Sequence, residues 1–365
     1  MFDRLPEYPW QKLAPFREIA KSHPDGLVDL SIGSPVDPTP EIIQKALSAS
    51  SNSAGYPSAT GTAELQQALV DWFSSRRSVR LKTTQVMPTV GSKEFISWLP
   101  VMLGLGSEDA VVQPKLAYTA YEVGAKFAGC ELVSEDDPAL WPDNAKLIWI
   151  NSPSNPNGSV MTYEDLQRAV ARARELGAVL VSDECYAELG WLQGYESKAT
   201  PCLLEDEVTG GDLTNLIAIY SLSKQSNLAG YRAALAGGDE VLIQGLINLR
   251  KHAGLIVPLP VQKAMTVALG DYDHVAKQKQ LYRNRIDILS EALIDTGFET
   301  ADCQGGLYLW VKVDDTFAAV ERFAKLGILV GPGEFYGEAG RGHVRISVTA
   351  SDEDVKRASS RLKML

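Results

Sequence analysis

The sequence predicts an α/β fold, a mainly parallel sheet covered by helices on both faces, with a smaller α+β unit after it. Three observations carry this. From about residue 85 to residue 224, short apolar runs alternate with segments of helical period, the order that sets parallel strands between covering helices. Several runs, such as LIWIN, AVLVS and LIAIY, are apolar without alternation, as strands buried on both faces are. Near residue 255 the pattern changes, and a long helical stretch at 272–296 precedes LYLWVKV, GILV and HVRISVTA. A chain of 365 residues suits about two domains. The expected division is 1–35 as an N-terminal arm and part of the small domain, 36–255 as the large domain, and 256–365 as the small C-terminal domain.

Taken in order, residues 1–30 are rich in proline and aromatics (Pro6, Tyr8, Pro9, Trp10, Pro15, Phe16), which suits an arm lying against another surface. VDLSIG is a short strand running into a Gly/Pro loop at 33–40. Leu65, Leu69, Trp72 and Phe73 fall on one face of a helix. QVMPTV reads as a strand, and Gly91, Ser92 and Lys93 open the next helix, whose free N–H groups can hold an anion. DAVVQP and CELVSE are strands around a helical segment at 116–129. LIWIN ends at Asn151, followed by a turn cluster around Asn155. Thr162 with Asp165 forms a capping box for a helix that Gly177 closes. AVLVSD ends on Asp183, and a loop of about thirty residues leads to the strand at 216–220. Residues 239–254 are helical, Pro258 and Pro260 break the chain, and a C-terminal helix ends it.

Composition narrows the function. The chain is 45% hydrophobic and 22% charged, ordinary for a soluble protein with a substantial core. A net charge of −11 and a pI near 5.0 argue against a nucleic-acid partner held by a basic face. Cys130, Cys185, Cys202 and Cys303 are scattered, with no CxxC pair and no His at ligand spacing, so neither a disulfide framework nor a metal site is expected. The stretch MFDRLPEYPWQKL lacks the apolar core of a signal peptide, and no apolar run is long enough to cross a bilayer. A cytoplasmic protein without a membrane partner is the expectation.

The chemistry gathers at strand ends. Ser221, Ser223 and Lys224 stand at the exit of the strand at 216–220, where open α/β sheets bind ligands. A lysine there, desolvated and near positive charge, loses its proton readily and can form a Schiff base. Arg232 offers a planar fork for a phosphate. Hydroxyls, an amine and a guanidinium around one strand end describe a carbonyl cofactor that carries a phosphate, and pyridoxal phosphate is the common one. Asp183 suits the pyridine nitrogen, Tyr186 and Asn155 can donate to the ring phenolate, and Tyr118 offers a face to stack on the ring. Taken singly, each of these has a plainer reading: a core aromatic, a helix cap, a surface charge. Glu184 and Cys185 read as solvated charge and core filler. Gly91-Ser92-Lys93 lacks the upstream glycine of a P-loop, and residues 331–337 have the wrong spacing for a dinucleotide fingerprint. Four histidines offer no evident Ser–His–Asp triad, and His252 and His343 read as ordinary polar residues.

With these residues in view, the chain resembles the fold-type-I pyridoxal-phosphate aminotransferases over nearly its full length. The matching pieces are Tyr56 with Gly61, GSK at 91–93, Tyr118 with Tyr121, NPNG at 155–158, DECY at 183–186, SLSK at 221–224, Arg232, and RIS at 345–347. The resemblance implies a seven-stranded, mainly parallel sheet, pyridoxal 5′-phosphate on Lys224, and Asp183 at its pyridine nitrogen. It implies Asn155 and Tyr186 at the ring oxygen, Tyr118 stacked on the ring, and Ser92, Lys93, Ser221 and Arg232 at the phosphate. Tyr56 would reach the cofactor of a second subunit, so a homodimer with shared active sites is implied. Arg345, near the backbone of Gly33 and Asn155, would bind the substrate carboxylate. The segment KLAYTAY departs from the proline-bearing form common in the family, which leaves Tyr118 and Tyr121 as competing stacking residues.

More narrowly, LPEYPWQKL, LSIGSPVDPTP, SDECYAELGW, SLSKQSNLAGYR, RKHAGLIVP and PGEFYG look like the actinobacterial N-succinyldiaminopimelate aminotransferases of lysine biosynthesis. The reaction implied is ping-pong transfer to 2-oxoglutarate, with Lys224 first the covalent anchor and then the acid/base. The alternatives are an aminotransferase for another amino acid, a carbon–sulfur β-lyase on the same fold, and a sensor domain of a transcription regulator. Lys12, Lys115 and Arg250 are the candidates for the far end of a succinylated substrate.

Overall fold

The computed structural model describes residue 5 and residues 9–192, 194–195 and 199–364; Pro6 and Tyr8 of the expected arm lie outside them. In chain order the elements are α1 (Ala14–Lys21), β1 (Val28–Asp29), α2 (Glu41–Ala49), α3 (Ala63–Arg77), β2 (Val86–Val90), α4 (Ser92–Met102), β3 (Ala110–Gln113) and α5 (Ala120–Ala128). Then come β4 (Glu131–Ser134), β5 (Ala145–Asn151), α6 (Tyr163–Leu176), β6 (Val179–Asp183), α7 (Asp206–Thr209), β7 (Leu216–Ser221), α8 (Leu222–Gln225) and β8 (Ala233–Gly238). The rest is α9 (Glu240–Ala253), α10 (Leu259–Gly270), α11 (Tyr272–Asp295), β9 (Tyr308–Lys312), α12 (Thr316–Lys325), β10 (Ile328–Leu329), β11 (Gly331–Pro332), β12 (His343–Ser347) and α13 (Asp352–Leu362).

Seven strands form the large sheet in the order β2-β8-β7-β6-β5-β3-β4. All run parallel except β8, which pairs antiparallel with both β2 and β7. Alternate side chains go to opposite faces of each strand. On β7, Leu216, Ala218 and Tyr220 join one core with α3, α6 and α10, while Ile217 and Ile219 join the other with α4, α5 and α9. That two-sided burial is why the strands read as unbroken apolar runs. A third core lies between α11, α12, α13 and an antiparallel sheet ordered β11-β12-β9. Leu13, Val28 and Leu30 of the N-terminal region belong to it, and Trp10 packs on Phe335 with ring centroids 5.5 Å apart.

Two elements differ from the sequence reading. β8 was not anticipated, because Ala-Ala-Leu-Ala-Gly-Gly holds no β-branched or aromatic residue. Its small side chains are required by close packing: a Cβ on Gly237 would meet the Phe73 ring and Leu81. The prolines at 258 and 260 open a helix rather than break the chain. Pro258 is the N-cap of α10 and Pro260 sits in its first turn, where a missing N–H costs nothing. α10 packs on α2 and α3, and Ala264, Met265, Ala268 and Leu269 join the large sheet's core rather than that of the smaller unit. The capping box is as expected: Thr162 and Asp165 exchange hydrogen bonds at the start of α6, and Gly177 ends it with φ 60°.

Candidate active site

The site is assembled by sheet register. Asn151, Asp183 and Ile219 are neighbours across β5, β6 and β7, so the residues just beyond those strand ends share one edge. There lies a cleft of about 280 Å³ lined by Gly33, Ser92, Lys93, Tyr118, Asn155, Asp183, Tyr186, Ser221, Lys224, Arg232 and Arg345. Every predicted site residue therefore lines it except Tyr56, which is fully exposed on this chain and stands elsewhere.

Lys224 sits in α8, the single turn that follows β7, and its ammonium donates to the Gly33 carbonyl. Burial pushes its pKa below the ordinary lysine value, and the nearby guanidinium groups of Arg345 and Arg232 push the same way. Asp183 receives hydrogen bonds from the Tyr121 hydroxyl at 2.9 Å and the Cys185 N–H at 3.2 Å. Burial nevertheless raises its pKa above the usual carboxylate value, with those bonds opposing. A buried acid in that state favours a cationic partner. The two tyrosines of the departing segment divide the work: Tyr118 lines the cleft, while Tyr121 is buried behind it, stacked on Trp149 at 5.0 Å and bonded to Asp183.

Two cationic pockets flank these groups. Gly91, at φ +78°, caps α4, and the Arg232 guanidinium lies so close that a Cβ on Gly91 would overlap it. The N–H groups opening α4, with Ser92, Ser221 and Arg232, form an anion cradle. On the other side Arg345 is buried, donating to Asn155 Oδ1 at 2.7 Å and to the Ser31 carbonyl at 2.9 Å, with its Nε unpartnered. Its guanidinium lies 3.9 Å from the centre of the Tyr308 ring and 4.7 Å from that of Tyr336. Among the described residues neither Arg232 nor Arg345 has a carboxylate within ion-pair distance. Arg345 is buried, and a buried cation without a counter-ion is costly, so its side of the cleft is built for an anion.

Pyridoxal phosphate fits these residues: an amine on α8, a buried carboxyl lining the same cleft, and a cradle for the phosphate at the α4 N-terminus. The chain belongs to the class I and II aminotransferases, whose family profile matches residues 25–362, and its cofactor is pyridoxal phosphate. It is 46% identical over 360 residues to a 4-dedimethylamino-4-oxo-anhydrotetracycline transaminase of Streptomyces rimosus, covering 98% of this chain and 99% of that one. It is 33% identical to an LL-diaminopimelate aminotransferase of Aquifex aeolicus, covering 93% and 91%. Among solved structures it superposes on an aminotransferase from Neisseria meningitidis with a TM-score of 0.91 at 28% identity, covering 99% and 98% of the two chains. These likenesses bear out the seven-stranded fold-type-I architecture.

Sequence reasoning passed over several groups. Tyr308, Tyr336, Asn151 and Cys185 also line the cleft. Cys185, read as core filler, reaches the cleft, and Glu184, read as a solvated charge, is buried and paired with Arg77 at 2.5 Å. Tyr308 could have been found by pairing the two strand-like runs at 307–313 and 343–350, since β9 and β12 are antiparallel neighbours. A Ser–His–Asp relay also exists, against expectation: Ser226 Oγ lies 2.7 Å from His274 Nε2, and His274 Nδ1 lies 3.0 Å from Asp271. Ser226 is wholly buried and takes a bond from Gln225, so the relay braces the turn that carries Lys224 and is no nucleophile. Of the distal candidates, Arg250 is bound by Glu94 at 2.7 Å and Lys115 by Glu135 at 2.7 Å. No helix among the described residues is long and apolar enough to cross a membrane.

Proposed function

We propose that this aminotransferase acts on N-succinyl-LL-2,6-diaminopimelate as amino donor and 2-oxoglutarate as acceptor, in a ping-pong cycle at a site shared between two subunits. The observation that carries a carboxylate substrate is Arg345, a buried guanidinium with a free Nε beside the Lys224 amine. Similarity to the diaminopimelate aminotransferase supports the long diacid donor. Lys12, on the 3₁₀ turn beside the cleft residue Trp10, has no carboxylate within ion-pair distance among the described residues. It is the group proposed for the succinyl end.

When bound, pyridoxal phosphate supplies an electron sink for negative charge on the substrate's α-carbon. The residues do the rest. Lys224 would anchor the cofactor and then take up and return the α-proton, and the burial that lowers its pKa eases the release of that proton. Asp183 holds a proton at the pyridine nitrogen. Asn155, its Oδ1 engaged by Arg345, would have its NH₂ left to donate to the ring oxygen, as Tyr186 would with its hydroxyl. Tyr118 would lie on the ring face, while Ser92, Lys93, Ser221 and Arg232 would hold the phosphate. Arg345 and the Gly33 backbone orient the substrate carboxylate, and Tyr56 completes the phosphate site of the second subunit.

The test is a half-reaction screen of the holoenzyme, following loss of cofactor absorbance as amines are added. N-succinyl-LL-diaminopimelate and glutamate are expected to bleach it at least tenfold faster than alanine. Bleaching by unsuccinylated LL-diaminopimelate but not by the succinylated donor would overturn the substrate assignment, and pyruvate release from cystathionine would point to a β-lyase. The 46% relative favours a second reading, amino transfer to a polycyclic ketone. That reading holds if such a ketone, and no keto acid other than glutamate's, reoxidises the aminated enzyme.

A further inference from the structure

Behind the groups assigned to the cofactor, two phenols stand in series. The Tyr186 and Tyr308 hydroxyls are 3.0 Å apart, their rings edge to face at 5.7 Å. Both are buried. Tyr308 comes from β9, a different sheet from the one that carries Asp183, and Arg345 of β12 covers its ring at 3.9 Å. Its hydroxyl approaches Gly33 so closely that a Cβ there would overlap it, and the carbonyl of Gly33 is the acceptor for Lys224. Tyr308 thus touches the carboxylate clamp, the lysine's acceptor residue and the phenol assigned to the ring oxygen.

A phenol has one proton to donate. If Tyr186 gave its proton to Tyr308 it would have none for the cofactor; if it receives one from Tyr308, its own O–H stays free and is polarised by the bond it accepts. The surroundings choose between these. The Arg345 guanidinium lies 3.9 Å from the centre of the Tyr308 ring and Lys224 stands beside it, and this positive charge makes the Tyr308 O–H the more acidic of the pair and so the better donor, whereas burial holds Tyr186 above the ordinary value. The other titratable groups facing the pair are Cys185, beside Tyr186, and Tyr282 on α11, beside Tyr308.

We propose that Tyr308 is a positioning residue that donates to Tyr186, so that the Tyr186 proton is committed to the cofactor's ring oxygen, and that it links this bond to carboxylate binding at Arg345. The inference rests on the reading that Tyr186 contacts that oxygen. Neutralising Arg345 with a bound carboxylate weakens the acidity of Tyr308 and with it the pull on Tyr186. The donor strength at the ring oxygen therefore changes when substrate arrives, without movement of either ring.

The experiment is a pH titration of the holoenzyme's visible absorbance, which reports the nitrogen joining the cofactor to Lys224. Donors to the ring oxygen withdraw charge from it and lower that nitrogen's pKa. Tyr186→Phe is expected to raise the midpoint by about one unit, and Tyr308→Phe, which keeps the ring under Arg345, by about half a unit, as a neutral hydrogen bond acting through one phenol would. In the Tyr186→Phe background, adding Tyr308→Phe should shift the midpoint no further, because the hydroxyl acts only through its neighbour. With a saturating unreactive dicarboxylate, the difference between Tyr308→Phe and the parent should narrow. An unshifted midpoint in Tyr308→Phe alongside a shifted one in Tyr186→Phe overturns this proposal alone. An additive shift in the double variant, or a difference that ignores the dicarboxylate, does the same. An unshifted midpoint in Tyr186→Phe removes the reading beneath it as well.

Discussion

Two buried cations set the chemistry at the residue scale, and they are buried for different ends. Arg345 makes neutral hydrogen bonds to Asn155 and the Ser31 carbonyl and waits for an anion. Replacing it with alanine is expected to raise KM for dicarboxylate donors by about a hundredfold to a thousandfold, the order expected when one partner of a buried charge pair is lost; steady-state kinetics with and without saturating donor would show it, and an unchanged KM would place the carboxylate elsewhere. Lys224 carries a burial penalty in the cofactor-free protein. Its pKa is lower folded than unfolded, so the unfolded chain binds the proton more readily and the folded state gains stability as pH rises from the folded pKa toward 10.5. Cofactor-free Lys224→Met should accordingly be more stable than the parent at pH 7, with the gap closing toward pH 10.5. Denaturant unfolding at several pH values measures this, and a gap that widens with pH would contradict it.

At the element scale, the turns after strands matter more than the strands. Gly91 ends β2 and caps α4 in a left-handed conformation, with the Arg232 guanidinium against its Cα. Gly91→Ala adds backbone strain of about 1–2 kcal/mol and displaces Arg232, so cofactor affinity should fall by tenfold or more while the sheet stays intact. Absorbance titration of the apoprotein would reveal it, and parent-like affinity would mean that the arginine does not serve the phosphate. The turn after β6 is fixed from a distance: Arg77 of α3 reaches Glu184 at 2.5 Å, and Arg76 reaches Glu188 at 2.5 Å. The loop of 33–40 is likewise clamped, Arg285 of α11 gripping both oxygens of Asp37 at 2.6 and 2.8 Å. These charge pairs join segments whose separation in the chain ran from about a hundred residues to well over two hundred, which is why Glu184 read as a surface charge.

At the scale of the whole molecule, one chain does not complete the proposed site. Tyr56 is fully exposed and outside the cleft, as a residue serving a second subunit would be. Tyr56→Ala and Lys224→Ala homodimers should each be severely impaired, the latter by about 10⁴-fold or more. Mixed and re-equilibrated, they should regain up to about a quarter of parental activity through dimers with one intact site; no recovery would confine Tyr56 to its own chain. The sequence by itself was enough for the alternation of parallel strands and helices and for the lysine, acid and amide at three strand ends, because these depend on local period and on residue types that few other chemistries require, whereas the arginine clamp was implied only by the family resemblance. It could not reveal β8, where Gly237 is kept small by Phe73 of α3 and by Leu81 just beyond that helix, nor the helix opened by Pro258 and Pro260. Nor could it reveal that Tyr121 rather than Tyr118 holds Asp183, or that Tyr308 stands behind Tyr186. Those were decided by packing and sheet register, where the partner of a side chain is chosen by what lies across a sheet or beneath a helix and not by what lies beside it along the chain.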